Sequence, residues 1–160
     1  MRTAAVLAAV LLLAGCGSEP AGPQDVVVTA GPQEVSVSPT QACLDGEGQR
    51  YDTTPPVIEV SPDTTIRLTV PDAVAERGWS IQVFDEQLVE QLGEVEVDAG
   101  AAVFDEINTS DVVPPAFYLV VVEDAHGDCL LTGSWPVGFL RAGGDVVEPT
   151  PTTPPVTPAG

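Results

Sequence analysis

TTIRLTV, residues 64–70, is the stretch of the chain that decides its fold. Ile66, Leu68 and Val70 alternate with polar residues, so an extended chain here has one apolar face and one polar face. Strict alternation of this kind is typical of a half-buried β-strand. Pro71 follows at once and ends the predicted strand, because proline cannot donate a ladder hydrogen bond.

Short segments of the same kind recur on both sides of this stretch, separated by clusters of Gly, Pro, Asn and Asp. A helical pattern is confined to Asp72–Arg77, a single turn that Gly78 would stop. About eight or nine short strands with closely spaced turns predict an antiparallel all-β sandwich, with a barrel as the alternative. The predicted strands are Asp25–Thr29, Glu34–Ser38, Val57–Val60, Thr64–Val70, Trp79–Phe84, Glu94–Asp98, Ala101–Ile107, Ala116–Val122 and a segment or two between Cys129 and Leu140.

Three segments need separate interpretation. Residues 40–54 contain Asp45-Gly46-Glu47-Gly48 and are predicted to form a loop. This acidic spacing resembles a calcium loop but lacks the closing glutamate, so it does not predict a metal site. Residues 85–93 fit either a loop or a bent strand. Ala116–Val122 is apolar on both faces, which predicts a central strand that is covered from both sides.

The beginning of the chain has the features of an export signal. Arg2 precedes the apolar run Ala4–Leu13, which is about half of the roughly 20 residues that span a bilayer as a helix. The run ends in Leu13-Ala14-Gly15-Cys16, which resembles the lipobox of a bacterial lipoprotein precursor. This resemblance implies removal of residues 1–15 and a diacylglyceryl anchor on Cys16, which would hold the protein on the extracytoplasmic face of the cell membrane. An N-terminal core helix is the alternative, but the Gly and Pro residues of 17–24 disfavour it.

The composition sets the predicted domain boundaries. Residues 16–24 would form a lipidated tether, and residues 25–142 the immunoglobulin-like β-sandwich domain. From residue 143 to residue 160 the chain is rich in Pro and Thr, and this part is predicted to be a disordered tail because it has too little apolar surface to fold.

The chain is strongly acidic. Its formal net charge is -19, and all five basic residues are arginine. Such a surface repels phosphate backbones, which excludes nucleic acid as a partner. An anionic membrane surface would also repel it, so we expect the tether to hold the domain away from the bilayer.

The cysteine count predicts a cross-link. Acylation of Cys16 would leave Cys43 and Cys129 as an even pair in an exported protein, where disulfides persist. We therefore predict a Cys43–Cys129 disulfide. Buried near Trp79 or Trp135, it would match the pattern of immunoglobulin-like sandwiches. A redox or metal-binding thiol pair is the alternative, but the chain has no Cys-x-x-Cys spacing.

Two segments resemble a known family. Residues 35–43 have the pattern V-x-V-x-P-T-x-x-C, and Ile66–Pro71 is followed by Trp79. Together with the lipobox, they are similar to actinobacterial lipoproteins that carry a domain of unknown function. The resemblance covers about Val26 to Leu140. It implies an exported lipoprotein with a sandwich-like domain, and it brings no catalytic residue, ligand or cofactor.

Side chains suited to catalysis are scarce. The single histidine, His126, lies in a predicted hairpin turn, and no segment resembles a nucleophile elbow. Adjacent carboxylates such as Asp85-Glu86 and Asp105-Glu106 would point to opposite faces of a strand, so they would not converge. We therefore predict no catalytic residue, no metal site and no cofactor.

These observations favour a non-catalytic interaction module at the cell envelope, which presents loops or an edge strand to an envelope protein or a glycan. A small-ligand or lipid carrier with a cavity between the sheets is the alternative, although the large aromatic residues look sufficient to fill the core. An enzyme or a calcium-dependent protein is less favoured because the chain lacks convergent catalytic groups.

Overall fold

A computed structural model of the chain describes residues 22–125, 129 and 132–142. The predicted signal peptide, Cys16, His126 and the predicted tail from residue 143 lie outside the described residues. Within the described part, short strands dominate and the one helix is α1, Asp72–Arg77, between β6 and β7. The strands are β1 Val26–Ala30, β2 Gln33–Val37, β3 Gln41–Leu44, β4 Glu47–Arg50, β5 Val57–Val60, β6 Thr65–Thr69, β7 Trp79–Asp85, β8 Gln91–Glu96, β9 Val103–Asn108, β10 Ala116–Glu123 and β11 Ser134–Arg141.

The strands form two sheets that face each other across one core. The smaller sheet has the order β2-β1-β6-β9, and the larger has the order β4-β3-β11-β10-β7-β8. Strand β5 pairs with β11 in parallel, and the other pairs are antiparallel. This arrangement is a β-sandwich, and it confirms the predicted all-β sandwich fold.

Apolar side chains from the inner faces of both sheets fill the core. Trp79, on β7, is buried, and its indole N–H donates a 2.8 Å hydrogen bond to the carbonyl oxygen of Ala101. Phe117 and Phe139 stack with ring centroids 5.3 Å apart. Side chains of both sheets therefore pack together between the centres of the sheets, whereas Phe84 lies on the outer face of the larger sheet.

The stretch that decided the fold has the predicted alternation. Ile66 and Leu68 are fully buried, whereas Thr65 and Arg67 are exposed on the opposite face of β6. The helical turn Asp72–Arg77 is also confirmed, and it ends at Gly78, which has a φ of 94°.

The predicted loop at residues 40–54 is wrong in its first part. Strands β3 and β4 form a hairpin with Asp45-Gly46 at its turn, and both turn residues have positive φ values. Asp-Gly is a strong signal for such two-residue turns. The hairpin was missed because β4 is exposed along its whole length, so its sequence has no apolar alternation.

The ambiguous segment at residues 85–93 contains a turn and then the start of β8. Opposite Val83 and Phe84 of β7, the pairing shifts from Gly93 to Gln91, which leaves Leu92 as an extra residue in a β-bulge. The bent-strand interpretation therefore holds for the second half of the segment, and the loop interpretation holds for the first.

Strand β10 is central, as predicted, but within the described residues no third layer of secondary structure covers its outer face. Val120 is buried on that face nonetheless. It lines a surface depression together with side chains of its own sheet, including Phe84 and Pro136. Neighbouring side chains thus replace the second covering layer that the sequence predicted.

The Cys43–Cys129 disulfide is present, with the two Cα atoms 6.1 Å apart. Its position differs from the expected one. It joins β3 to the connection between β10 and β11, whereas the immunoglobulin disulfide links the two sheets through the core. Strand β3 pairs with β11 only between Gln41 and Ser134, so the disulfide fastens a hairpin that few backbone bonds hold.

Candidate binding groove

The described domain has two distinct ends, which we call the entry end and the distal end. At the entry end, the indole N–H of Trp135 donates a 3.0 Å hydrogen bond to the carbonyl oxygen of Gln24, close to where the described chain begins. Glu123, the last residue of β10, lies at this end as well. At the distal end, β10 begins at Ala116 after the loop of residues 109–115. An eight-residue strand spans roughly 23–26 Å, which is the approximate distance between the two ends.

A groove of about 570 Å³ lies between β8 and β9, in the distal part of the domain. These strands are the outermost members of their sheets on the same side of the sandwich. Because neither sheet continues beyond them, apolar side chains near this edge remain uncovered. The lining residues are Val83, Leu92–Val95, Phe104, Glu106, Ile107 and Asp111–Pro114.

Two apolar side chains at the groove are markedly exposed. Val113 has 88% of its surface exposed, and Leu92 has 42%. Val89, in the turn that precedes β8, is exposed as well, at 78%. Single exposed apolar residues are ordinary on protein surfaces, but Leu92 and Val113 line the same groove, and exposed apolar residues grouped in this way are typical of an interaction site.

The loop that closes the distal end of the groove is held firmly in place. The guanidinium group of Arg141 donates hydrogen bonds to the carbonyl oxygens of Thr109 (2.8 Å), Val112 (3.1 Å) and Val113 (3.2 Å). The buried hydroxyl of Thr109 donates to the carbonyl oxygen of Ser61 at 3.0 Å. Hydrogen bonds within the domain therefore hold this wall of the groove in place.

The edges that flank the groove are both irregular. Leu92 forms the bulge in β8, and in β9 the register shifts so that Asp105 and Glu106 lie opposite Arg67. The guanidinium group of Arg67 forms a 2.8 Å ion pair with Asp105. Bulges and charged side chains on an edge strand hinder the addition of a further strand. Addition of a further strand to either edge is therefore disfavoured.

Two acidic residues, Glu106 and Asp111, line the groove, and no basic residue does. Asp111 accepts a 2.8 Å hydrogen bond from the backbone N–H of Asn108. The carboxylate of Glu94 lies on the outer face of the larger sheet, where it accepts a 3.2 Å hydrogen bond from the hydroxyl of Ser80. The groove therefore has an apolar lining with negative charge, which suits a ligand that is apolar and positively charged.

A second polar cluster, at the entry end, has a structural explanation. The buried carboxylate of Glu123 forms an ion pair with Arg77 and accepts a 3.2 Å hydrogen bond from the backbone N–H of Gly133. The cluster lies beside the disulfide. The cluster links α1, the end of β10 and the start of β11, so the carboxylate of Glu123 has a structural role.

The carboxylate pairs considered for catalysis do not converge. Asp85 accepts hydrogen bonds from the backbone N–H groups of Val89 and Glu90, which shapes the turn before β8. Asp105 is engaged by Arg67. Within the described ranges, no group of three or more His, Cys, Asp or Glu residues could hold a metal ion.

The structure brings together Cys43 and Cys129, whereas Cys16 lies outside the described residues. In the part of the chain that is described, no helix has the length and apolar character needed to cross a membrane. Sequence reasoning missed the groove. The available signal was the pair Val112-Val113 between Asp111 and Pro114, where apolar residues sit inside a segment otherwise typical of a turn.

Comparison with known proteins adds one finding. A family model described as "Protein of unknown function (DUF2771)" matches residues 19–125, which is more than half of the chain and includes both strands that flank the groove. No curated protein and no solved structure matches the chain. The match confirms the resemblance to a domain of unknown function, and it assigns no activity.

Proposed function

The chain belongs to the DUF2771 family of proteins of unknown function, and we propose that it is a non-catalytic binding module of the cell envelope. In this proposal an acylated Cys16 anchors it to the extracytoplasmic face of the membrane, and the groove between β8 and β9 receives a partner. The groove, apolar inside and closed at its distal end by the loop of residues 109–115, is the observation that carries the proposal.

Two features support the location outside the cytoplasm. The lipobox-like Leu13-Ala14-Gly15-Cys16 follows a short apolar leader, as in actinobacterial lipoproteins. The Cys43–Cys129 disulfide is a cross-link that persists in oxidising compartments.

The positions of the entry end and the distal end support a partner that approaches from the side away from the membrane. The chain leaves the lipid anchor through residues 16–24 and enters the domain at Gln24, at the end opposite the loop of residues 109–115. An extended tether from residue 17 to residue 24 reaches about 25–28 Å. With the domain oriented this way, the groove lies in the half of the domain farther from the bilayer.

A carrier of a small apolar ligand or lipid is the second candidate, and the size of the groove favours it. About 570 Å³ is within the range of small-molecule pockets, which is roughly 300–1,000 Å³. The cavity lies at the side of the sandwich and not between the centres of the sheets, where side chains fill the core.

The anchoring part is tested with Cys16→Ala in the full chain. We expect the unchanged protein to incorporate labelled palmitate, to fractionate with membranes and to be cleaved by protease added to intact cells. The variant should lose the label. A variant that still incorporates palmitate, or an unchanged protein that protease reaches only after lysis, would contradict the proposed anchor or its orientation.

The binding part is tested by site-specific photocrosslinking in intact cells. A photoreactive amino acid in place of Val113 is compared with one in place of Val57, which is 61% exposed on the outer face of the larger sheet. We expect a discrete adduct from position 113 that position 57 does not give. Identical adducts from both positions, or none from position 113, would overturn the assignment of the groove as the binding site.

A further inference from the structure

We propose that the partner's binding element is an extended protein segment that is both apolar and positively charged. This inference rests on the proposed function and names the chemistry of the partner. It follows from three properties of the groove: its apolar lining, its carboxylates and its irregular edges.

The apolar lining selects a partner with aliphatic or aromatic side chains. Val95, Phe104 and Ile107 extend toward the groove from both sheets, and Val112 and Val113 close it at the distal end. Burial of a valine or leucine side chain in such a site contributes about 1.5–3 kcal/mol. A glycan presents mainly hydroxyl groups, which this lining could not satisfy.

The carboxylates select a positive charge. Glu106 and Asp111 line the groove, and the guanidinium group of Arg141, which touches the adjacent loop, is directed at three loop carbonyl oxygens. The whole chain carries a net charge of -19, so its field attracts cations toward the domain in general. The apolar lining then determines where a cationic and apolar segment binds. A fatty acid, whose carboxylate would approach Glu106 and Asp111, is disfavoured.

The shape of the groove favours a peptide segment. It is partly open to solvent, so a longer chain bound in it can continue beyond it, unlike in an enclosed pocket that fits a whole small ligand. The bulges at Leu92 and at Asp105-Glu106 disfavour strand addition to either edge. The segment therefore lies between the two sheets, where its side chains enter the groove.

The test measures binding of synthetic peptides to the full chain, purified from its host membrane and reconstituted in phosphatidylcholine nanodiscs. The probe is a fluorescein-labelled peptide with two arginines at each end of a Val-Leu-Ile-Val centre. One comparison peptide replaces the arginines by glutamates, and a second replaces the apolar centre by serines. Fluorescence anisotropy gives each dissociation constant, and empty nanodiscs give the background.

We expect the arginine-flanked apolar peptide to bind at least about tenfold more tightly than either comparison peptide. Val113→Ser should weaken its binding about fivefold or more, whereas Val57→Ser, a matched change on the outer face, should leave it unchanged. Glu106→Gln should weaken it about threefold, and Glu34→Gln, on the far edge strand β2, should not. All four positions are exposed, so the variants are expected to fold.

Several results would overturn the inference. Equal binding of the serine-centred peptide would show unspecific charge attraction, and equal binding of the glutamate peptide would show that charge does not matter. Displacement of the peptide by a fluorescent fatty acid that binds more tightly would favour the carrier. Failure of the peptide to bind while position 113 still crosslinks a partner in cells would reject only the partner's chemistry. Loss of both would reject the proposed binding function as well.

Discussion

Arg141, near the end of the last strand, donates a 2.8 Å hydrogen bond to the carbonyl oxygen of Thr109, at the start of the loop that closes the groove. The same guanidinium group reaches the carbonyl oxygens of Val112 and Val113. One side chain on the larger sheet thus fixes the loop that follows the edge strand of the smaller sheet. This relationship ties the shape of the groove to the stability of the fold.

Replacement of Arg141 by alanine should therefore loosen the loop as well as destabilise the domain. Hydrogen bonds from charged donors are worth more than neutral ones, but this side chain is only half-buried, so we expect a loss of about 1–2 kcal/mol in the free energy of unfolding. Urea denaturation measures the loss, and hydrogen exchange at residues 109–113 should accelerate. Arg50→Ala, on the exposed strand β4, is the matched control and should change stability by less than about 0.5 kcal/mol. Unchanged exchange in the loop would contradict the positioning role.

Gly133 lies where a side chain cannot fit. A Cβ atom there would come within 2.2 Å of the indole ring of Trp135 and 2.8 Å of a carboxylate oxygen of Glu123. Both neighbours are buried, so neither can move away easily. We expect Gly133→Ala to destabilise the domain by about 2–3 kcal/mol through overpacking.

Gly93, on β8, provides the comparison, because an added Cβ would meet no atom within 4 Å. Gly93→Ala should leave the midpoint of urea denaturation almost unchanged. If the two alanine variants unfolded at the same urea concentration, the tight contact between Gly133 and Trp135 would not describe the folded protein.

Replacement of Trp79 by phenylalanine should destabilise the domain. Its indole N–H donates to the carbonyl oxygen of Ala101, and the ring is buried. Trp79→Phe would leave a carbonyl oxygen without its donor and a space beside the smaller ring, which together should cost about 2–4 kcal/mol. Trp135→Phe removes a similar hydrogen bond, to Gln24 near the start of the described chain, and we expect a smaller loss because the chain there can readjust. Calorimetry should rank the two variants in this order, and the reverse order would refute the reasoning.

The residues that were predicted correctly are those whose environment follows from local pattern. The alternation at Ile66 and Leu68 sufficed to place β6, and the count of cysteines sufficed to pair Cys43 with Cys129. Strand β4 escaped prediction because its side chains are exposed on both faces, so no local pattern marks it.

The groove escaped prediction for a different reason. It exists because β8 and β9 are the last strands of their sheets, and the order of strands is a property of long-range pairing. The position of the disulfide, outside the core, depends on the same pairing, since the β3–β4 hairpin joins the larger sheet through β11. Local alternation carries no information on either point.

The disulfide should stabilise the β3–β4 hairpin more than any other part of the domain. Strand β3 pairs with β11 at one position only, Gln41 with Ser134, so the cross-link to Cys129 supplies much of the hairpin's attachment. A cross-link between cysteines separated by 86 positions is worth about 4–5 kcal/mol in the chain-entropy model. We expect the double variant Cys43→Ser/Cys129→Ser to lose up to about this amount in the free energy of unfolding. Hydrogen exchange should rise first in residues 41–50, while β6 stays protected until global unfolding. Equal loss of protection in the hairpin and in β6 would show that the disulfide stabilises the whole sandwich and not this attachment.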